Sequence, residues 1–145
     1  MRKDNIRDYA TFAFRKYASL GCPTAEEYRK RLREVAMSNE TNPKRALILA
    51  ENAEAENYAN IMDIEAVNGT LSVLEKSGRQ DIIKAVNEIY FAEPDKPLLK
   101  KNITERAQAF ATSLPADIRT IFRYLAFARK LFAELRGLSY SKHCQ

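Results

Sequence analysis

A chain of 145 residues with 46% hydrophobic content is long enough for one domain with a real core, or for two small helical subdomains sharing one, and too apolar for intrinsic disorder. Only four glycines and five prolines interrupt stretches rich in Ala, Leu, Glu, Lys and Arg, so the expected class is all-α, a multi-helix bundle with almost no sheet. The net charge of +5 favours an anionic partner. With no apolar run of bilayer length and no apolar signal-peptide core, a cytoplasmic protein without membrane contact is expected.

In chain order, Asp4 can cap a first helix whose apolar positions Ile6, Tyr9, Phe12, Ala13, Tyr17 and Leu20 recur at three- and four-residue spacing. Gly21-Cys22-Pro23 ends it. Thr24 and Glu27 spell a capping box for a second helix through Tyr28, Leu32 and Val35, which loses its pattern at Ser38-Asn39. These two helices are expected to form an antiparallel hairpin. Asn42, with Pro43 at the first helical position, opens a third stretch through Leu47, Leu49, Ala53, Tyr58 and Ile61. It is expected to continue, bent near Asn68-Gly69, through Leu71, Val73 and Leu74 to Ser77-Gly78. Asp81 to Phe91 reads as a short, strongly apolar fourth helix, broken by Glu93-Pro94-Asp95-Lys96-Pro97.

The last third predicts a short helix over Thr104 to Thr112, a break at Ser113-Leu114-Pro115, and a long amphipathic helix over 116–136. Two helices joined by a tight turn, the second one basic, is the sequence form of a helix-turn-helix DNA reader. At about 100° per residue, Ile118, Ile121, Phe122, Leu125 and Phe132 fall on one stripe of the long helix, and Arg119, Arg123, Ala126 and Lys130 on another. Packing the first stripe would turn the second outward, and the small Ala126 would let that face approach a groove. Tyr124 is the aromatic expected to face outward beside the basic stripe.

Charge supports this division. Residues 1–40 carry +3, 41–78 carry −3, 79–100 are neutral, and 101–145 carry +5. The basic end suits a polyanion; the acidic middle suits structural or protein contacts. The chain is accordingly divided into an N-terminal helical region, 1–78, for dimerisation or partner binding, and a C-terminal DNA-binding region, 79–145.

Catalysis has little support. His143, the one histidine, lies in a polar tail, and Cys22 and Cys144 have neither disulfide-framework nor metal-ligand spacing, so both read as free thiols. Glu51, Glu54, Glu56, Asp63 and Glu65 could gather a metal only without the Glu-x-x-His motifs that di-metal bundles use, and they read as an exposed acidic face. No glycine-rich phosphate loop occurs. Neither cofactor nor metal is expected. The cluster Arg29-Lys30-Arg31-Leu32-Arg33 reads as a solvated outer face, and most of the seven Tyr and seven Phe as core.

Asp81 to Tyr90, Asn102-Ile103-Thr104-Glu105-Arg106-Ala107, Arg119-Thr120-Ile121-Phe122-Arg123-Tyr124-Leu125 and Ala128 to Leu138 together resemble the C-terminal part of phage- and prophage-encoded transcriptional regulators of the RinA and ArpU type. Those are themselves similar to the DNA-binding region 4 of sigma factors. The resemblance implies that the helix matching Ile103 to Thr112 supports, and that the helix from Ala116 onward enters the major groove of double-stranded DNA. Arg119, Thr120 and Arg123 then become candidates for base contacts. Lys101, Arg106 and Lys130 become candidates for phosphate contacts. The turn lacks the glycine that the common motif favours, and Asp117 places a negative charge near the approach to DNA. The competing reading is a non-enzymatic helical adaptor binding another protein, with RNA polymerase a candidate, through residues 1–78.

Overall fold

The computed structural model describes residues 5–114 and 116–138. The expected cap Asp4, the turn residue Pro115, and His143 and Cys144 therefore lie outside the described residues. Within them the chain is helical and contains no strand: α1 (Asn5–Ser19), α2 (Ala25–Met37), α3 (Pro43–Glu56), α4 (Tyr58–Lys76), α5 (Gln80–Val86) continuing into a π-helical segment (Asn87–Phe91), α6 (Lys100–Ser113) and α7 (Ile118–Arg136). Among the described residues no helix is long and apolar enough to cross a membrane.

The caps follow the sequence closely. Thr24 Oγ1 accepts from Glu27 N–H at 3.1 Å while Glu27 Oε1 accepts from Thr24 N–H at 2.9 Å, closing the capping box of α2. Asn42 Oδ1 accepts from Lys44 and Arg45 N–H ahead of Pro43, and Asp117 Oδ1 accepts from Arg119 N–H at the start of α7. Gly137, at φ 85°, takes the left-handed conformation that ends α7, and Leu138 N–H returns to the Ala133 carbonyl at 2.8 Å.

Three expectations need correction. First, α2 pairs with α3 and then α4, whereas α1 packs on α4, α7 and the π segment, so the hairpin is α2–α3 and not α1–α2. Second, the long third stretch breaks at Asn57 rather than near Asn68-Gly69. The Asn57 amide Nδ2 donates to the Ala53 carbonyl at 2.9 Å, while α4 runs unbroken past Gly69. Asn68 and Gly69 serve contacts instead. Asn68 donates to the Pro23 carbonyl and accepts from Ala25 N–H, pinning the start of α2 to α4. A Cβ on Gly69 would lie 3.1 Å from Leu135 Cδ1, so the missing side chain lets α4 and α7 approach. Third, α6 starts at Lys100, a turn earlier than expected, because Asn102 Oδ1 accepts from Leu99 N–H at 3.1 Å and stabilises that first turn.

One core runs through both halves of the sequence. Phe14 of α1 stacks on Tyr90 of the π segment with ring centres 5.6 Å apart, and lies 5.6 Å from Phe132 of α7. Val67 and Leu74 from α4, Val86 from α5, and Ile121 and Leu125 from α7 complete a continuous buried cluster with these rings. Near the C-terminal end of α7, Arg136 Nε donates to Asp63 Oδ1 of α4 at 2.7 Å, and Tyr9 of α1 donates its hydroxyl to the same oxygen at 2.8 Å.

Candidate nucleic-acid interface

Helix α7 divides largely as its periodicity predicts, except that Phe122, expected on the packed stripe, is 38% exposed. Ile121, Leu125, Ala128, Phe132 and Ala133 are buried, while Arg119, Arg123, Ala126, Phe127 and Lys130 are exposed along the opposite side. No carboxylate pairs with Arg119, Arg123 or Lys130 among the described residues. Residues 114–117 connect α6 to α7. A helix with its apolar face docked and three unpaired cations outward can present those charges to an anion at little desolvation cost.

Arg45 of α3 is equally exposed and unpaired, but most other arginines among the described residues are engaged. Arg29 pairs with Glu54 and Glu65, Arg33 pairs with Glu54, and Arg31 donates to the Leu20 carbonyl. The basic cluster of α2 is thus solvated as expected, with Lys30 and Arg31 exposed, while Arg29 and Arg33 also pair with carboxylates from the acidic middle of the chain. The carboxylates considered for metal are similarly occupied at Glu54, Asp63 and Glu65. Among the described residues no group of three or more His, Cys, Asp or Glu could hold a metal ion. Cys22 is an exposed free thiol.

The remaining sequence-selected residues do not share the outer face of α7. Lys101 is exposed at the start of α6, and Thr120 is only partly exposed. Arg106, selected for a phosphate, is 17% exposed at its side chain. Its Nη1 donates to the carbonyls of Ile89 and Ala92 at 2.8 and 2.9 Å. Those oxygens belong to the C-terminal end of the π segment, where backbone acceptors lack helical donors and a cation is favoured. Arg106 is therefore a structural residue in this fold.

Tyr124 is likewise diverted. The Asp81 carboxylate beside it, above all, pushes the Tyr124 phenol above its ordinary pKa. The Arg79 guanidinium lies 5.8 Å from the centre of the Tyr124 ring and 5.9 Å from that of Phe127. Arg79 in turn donates to both oxygens of Asp81 at 3.1 Å, and this hydrogen bonding holds the Asp81 carboxyl below the usual range. Arg79 and Asp81 escape sequence reasoning because they lie far from α7 in the chain, and their short-range pattern is that of any helix start.

A further assembly leaves no mark in the sequence. Arg15 of α1 donates to the carbonyls of Tyr90, Ala92 and Glu93 at 2.8, 2.7 and 2.8 Å, and also to that of Lys96. Burial, and then the like charge of Arg106, push the Arg15 guanidinium below its ordinary pKa. Beside this knot the Tyr90 hydroxyl accepts from Arg129 Nη1 of α7 at 2.7 Å. No family model, curated protein or solved structure matches this chain.

Proposed function

We propose that the protein is a non-enzymatic, sequence-specific binder of double-stranded DNA that acts in transcription in the cytoplasm, in the manner of phage and prophage regulators, with α6 supporting and α7 entering the major groove. The observation that carries this reading is the row Arg119, Arg123 and Lys130, exposed and without carboxylate partners among the described residues while most neighbouring arginines are engaged. Arg119 and Arg123, in the first turns of α7, suit base edges, while Lys130 and Lys101 suit phosphates. Arg106 and Tyr124 are left out of the proposed contacts, and Thr120 is kept at the margin of the base-reading set.

The test is fluorescence anisotropy of labelled duplex DNA across a salt series. The two phosphates met by Lys101 and Lys130 should give a slope of log affinity against log salt of roughly −2, and −3 or steeper if Arg119 or Arg123 meets a phosphate instead of a base. Absence of binding to duplex at low salt would reject the reading.

A second reading draws on a different observation. Around the α2–α3 hairpin, Val35, Ile48 and Tyr58 are 75%, 56% and 63% exposed, and Leu47 is 49% exposed. That much large apolar surface suits a protein contact, with a second copy of the chain or RNA polymerase as the candidates. Binding through it would vary little with salt, which separates it from groove binding.

A further inference from the structure

A cleft of about 800 Å³ opens between the N-terminal half of α1, the connection that follows the π segment, the first turn of α6 and the middle of α7. That volume lies in the range of small-molecule sites, roughly 300–1,000 Å³. Its apolar surface comes from Phe12, Leu98, Ile103, Phe122 and Leu125. Two of these rings are turned toward water, Phe12 at 62% and Phe122 at 38% exposure.

The charges around the cleft decide what it would hold. Arg7 lies beside Asp8, Lys96 is paired with Glu93, and the Arg15 donors are committed to backbone carbonyls. Asp95, exposed on the connection after the π segment, is the one lining carboxylate without an ion-pair partner among the described residues, and two cations on the lining remain against it. Lys100 is exposed and has no partner among the described residues. Arg129 is half-buried and makes one hydrogen bond, to the neutral Tyr90 hydroxyl, with no carboxylate within reach among the described residues. A partly desolvated guanidinium beside apolar walls, without a counter-charge, is a costly arrangement that an incoming anion relieves. Carboxylates match the fork of an arginine and can accept two parallel hydrogen bonds from it.

We propose that this cleft binds a small amphipathic carboxylate, its carboxylate on Arg129 and Lys100 and its apolar body against Phe12, Phe122 and Leu125. The site is independent of the outer face of α7, because Arg129 and Leu125 belong to the inner side of that helix. A bound acid would nonetheless link α7 to α1 and α6, and so stabilise the helix that carries the basic row.

Octanoate is a suitable probe, with octan-1-ol as its uncharged counterpart, titrated into the full chain by calorimetry and followed by amide chemical shifts. Saturable one-to-one binding is expected, with octanol at least about tenfold weaker, the loss of one charge-assisted contact. Arg129→Gln should sharply reduce the preference for octanoate over octanol, and Phe12→Ser, at an exposed position, should weaken both. Lys100→Gln, fully on the surface, gives the same test of charge should Arg129→Gln fold poorly: it should weaken octanoate and leave octanol unchanged. Equal affinity for the two probes, no saturation by roughly 10 mM, or octanoate binding indifferent to both charge variants would overturn the proposal.

Discussion

Arg15 of α1 and Arg106 of α6 donate to one oxygen, the carbonyl of Ala92, at 2.7 and 2.9 Å. Two like charges meet there because the end of the π segment offers a convergent set of carbonyls, at Ile89, Tyr90, Ala92 and Glu93, facing the two helices. The arrangement closes the C-terminal end of that segment and binds α1 to α6 through the backbone between them.

Arg106→Gln should therefore lower stability by about 2 kcal/mol, the scale of losing hydrogen bonds from a charged donor to buried acceptors. Urea denaturation measures this. The salt slope of DNA binding should be unchanged in Arg106→Gln, whereas Lys101→Ala should reduce it by about one. A reduced slope in Arg106→Gln would return that residue to the phosphate contacts.

Arg123→Ala should weaken binding to a cognate duplex by about 1–3 kcal/mol while sparing random-sequence duplex. Equal loss on both would make Arg123 a phosphate contact. Anisotropy titrations against the selected site and a scrambled one distinguish these outcomes.

The Arg136–Asp63 pair, with side chains 19% and 14% exposed, predicts strong coupling between α7 and α4. Arg136→Met or Asp63→Leu alone should cost about 3 kcal/mol, because either leaves a shielded charge without its partner. The double variant should be markedly less destabilised than the sum of the two. Additive losses in the four-way cycle would mean that the two charges do not interact.

Gly69→Ala removes a helical glycine, a gain of up to about 1 kcal/mol. The new methyl would meet only the distal carbon of Leu135, a side chain 46% exposed and able to turn aside. A small net rise in melting temperature is expected for Ala, and a clear fall for Leu, which would push α7 away from α4. A fall for Ala as well would show that Leu135 is held rigidly.

Asp81 supplies a pH signature. Its carboxyl is held below the usual range, above all by its hydrogen bonds from Arg79, so its contribution to stability is present above the unfolded value of about 3.9 and is lost as pH falls through the folded one. Both partners are substantially exposed, which keeps the effect small. The difference in melting temperature between the protein and Asp81→Asn should be constant from neutral pH to about pH 5 and close below about pH 4. A difference that does not shrink at all between about pH 5 and pH 2 would assign the effect to packing.

Local signals were well legible in the sequence, and contacts made across it were not. Thr24 with Glu27, Asn42 with Pro43, and the two stripes of α7 each act within a turn or two, where spacing alone carries the information. Asn57 and Gly69 show the limit. Asn57 ends α3 without disturbing the apolar period, while Gly69 looks like a bend and is a contact with a helix that begins 49 residues later. The pairing of α2 was undecidable for a related reason, since short connections on both of its sides permit either hairpin. In the candidate site, exposure of Arg119, Arg123 and Lys130 followed from periodicity. Arg106 and Tyr124 meet groups, the Ala92 carbonyl and the Arg79 guanidinium, that come from segments only the fold brings near. The cleft is built from three separate stretches and could not be seen from any one of them.

The continuity of the core across both halves restricts how this protein could be cut or recombined. A fragment beginning at residue 79 would strip Phe132 of Phe14, Arg136 of Asp63, and Tyr90 of both its stacking ring and the arginine on its carbonyl. The basic helix is thus not a detachable head on a generic helical base. Its position is inherited from α1 and α4, so any exchange of the first 78 residues must preserve the surface on which α7 rests.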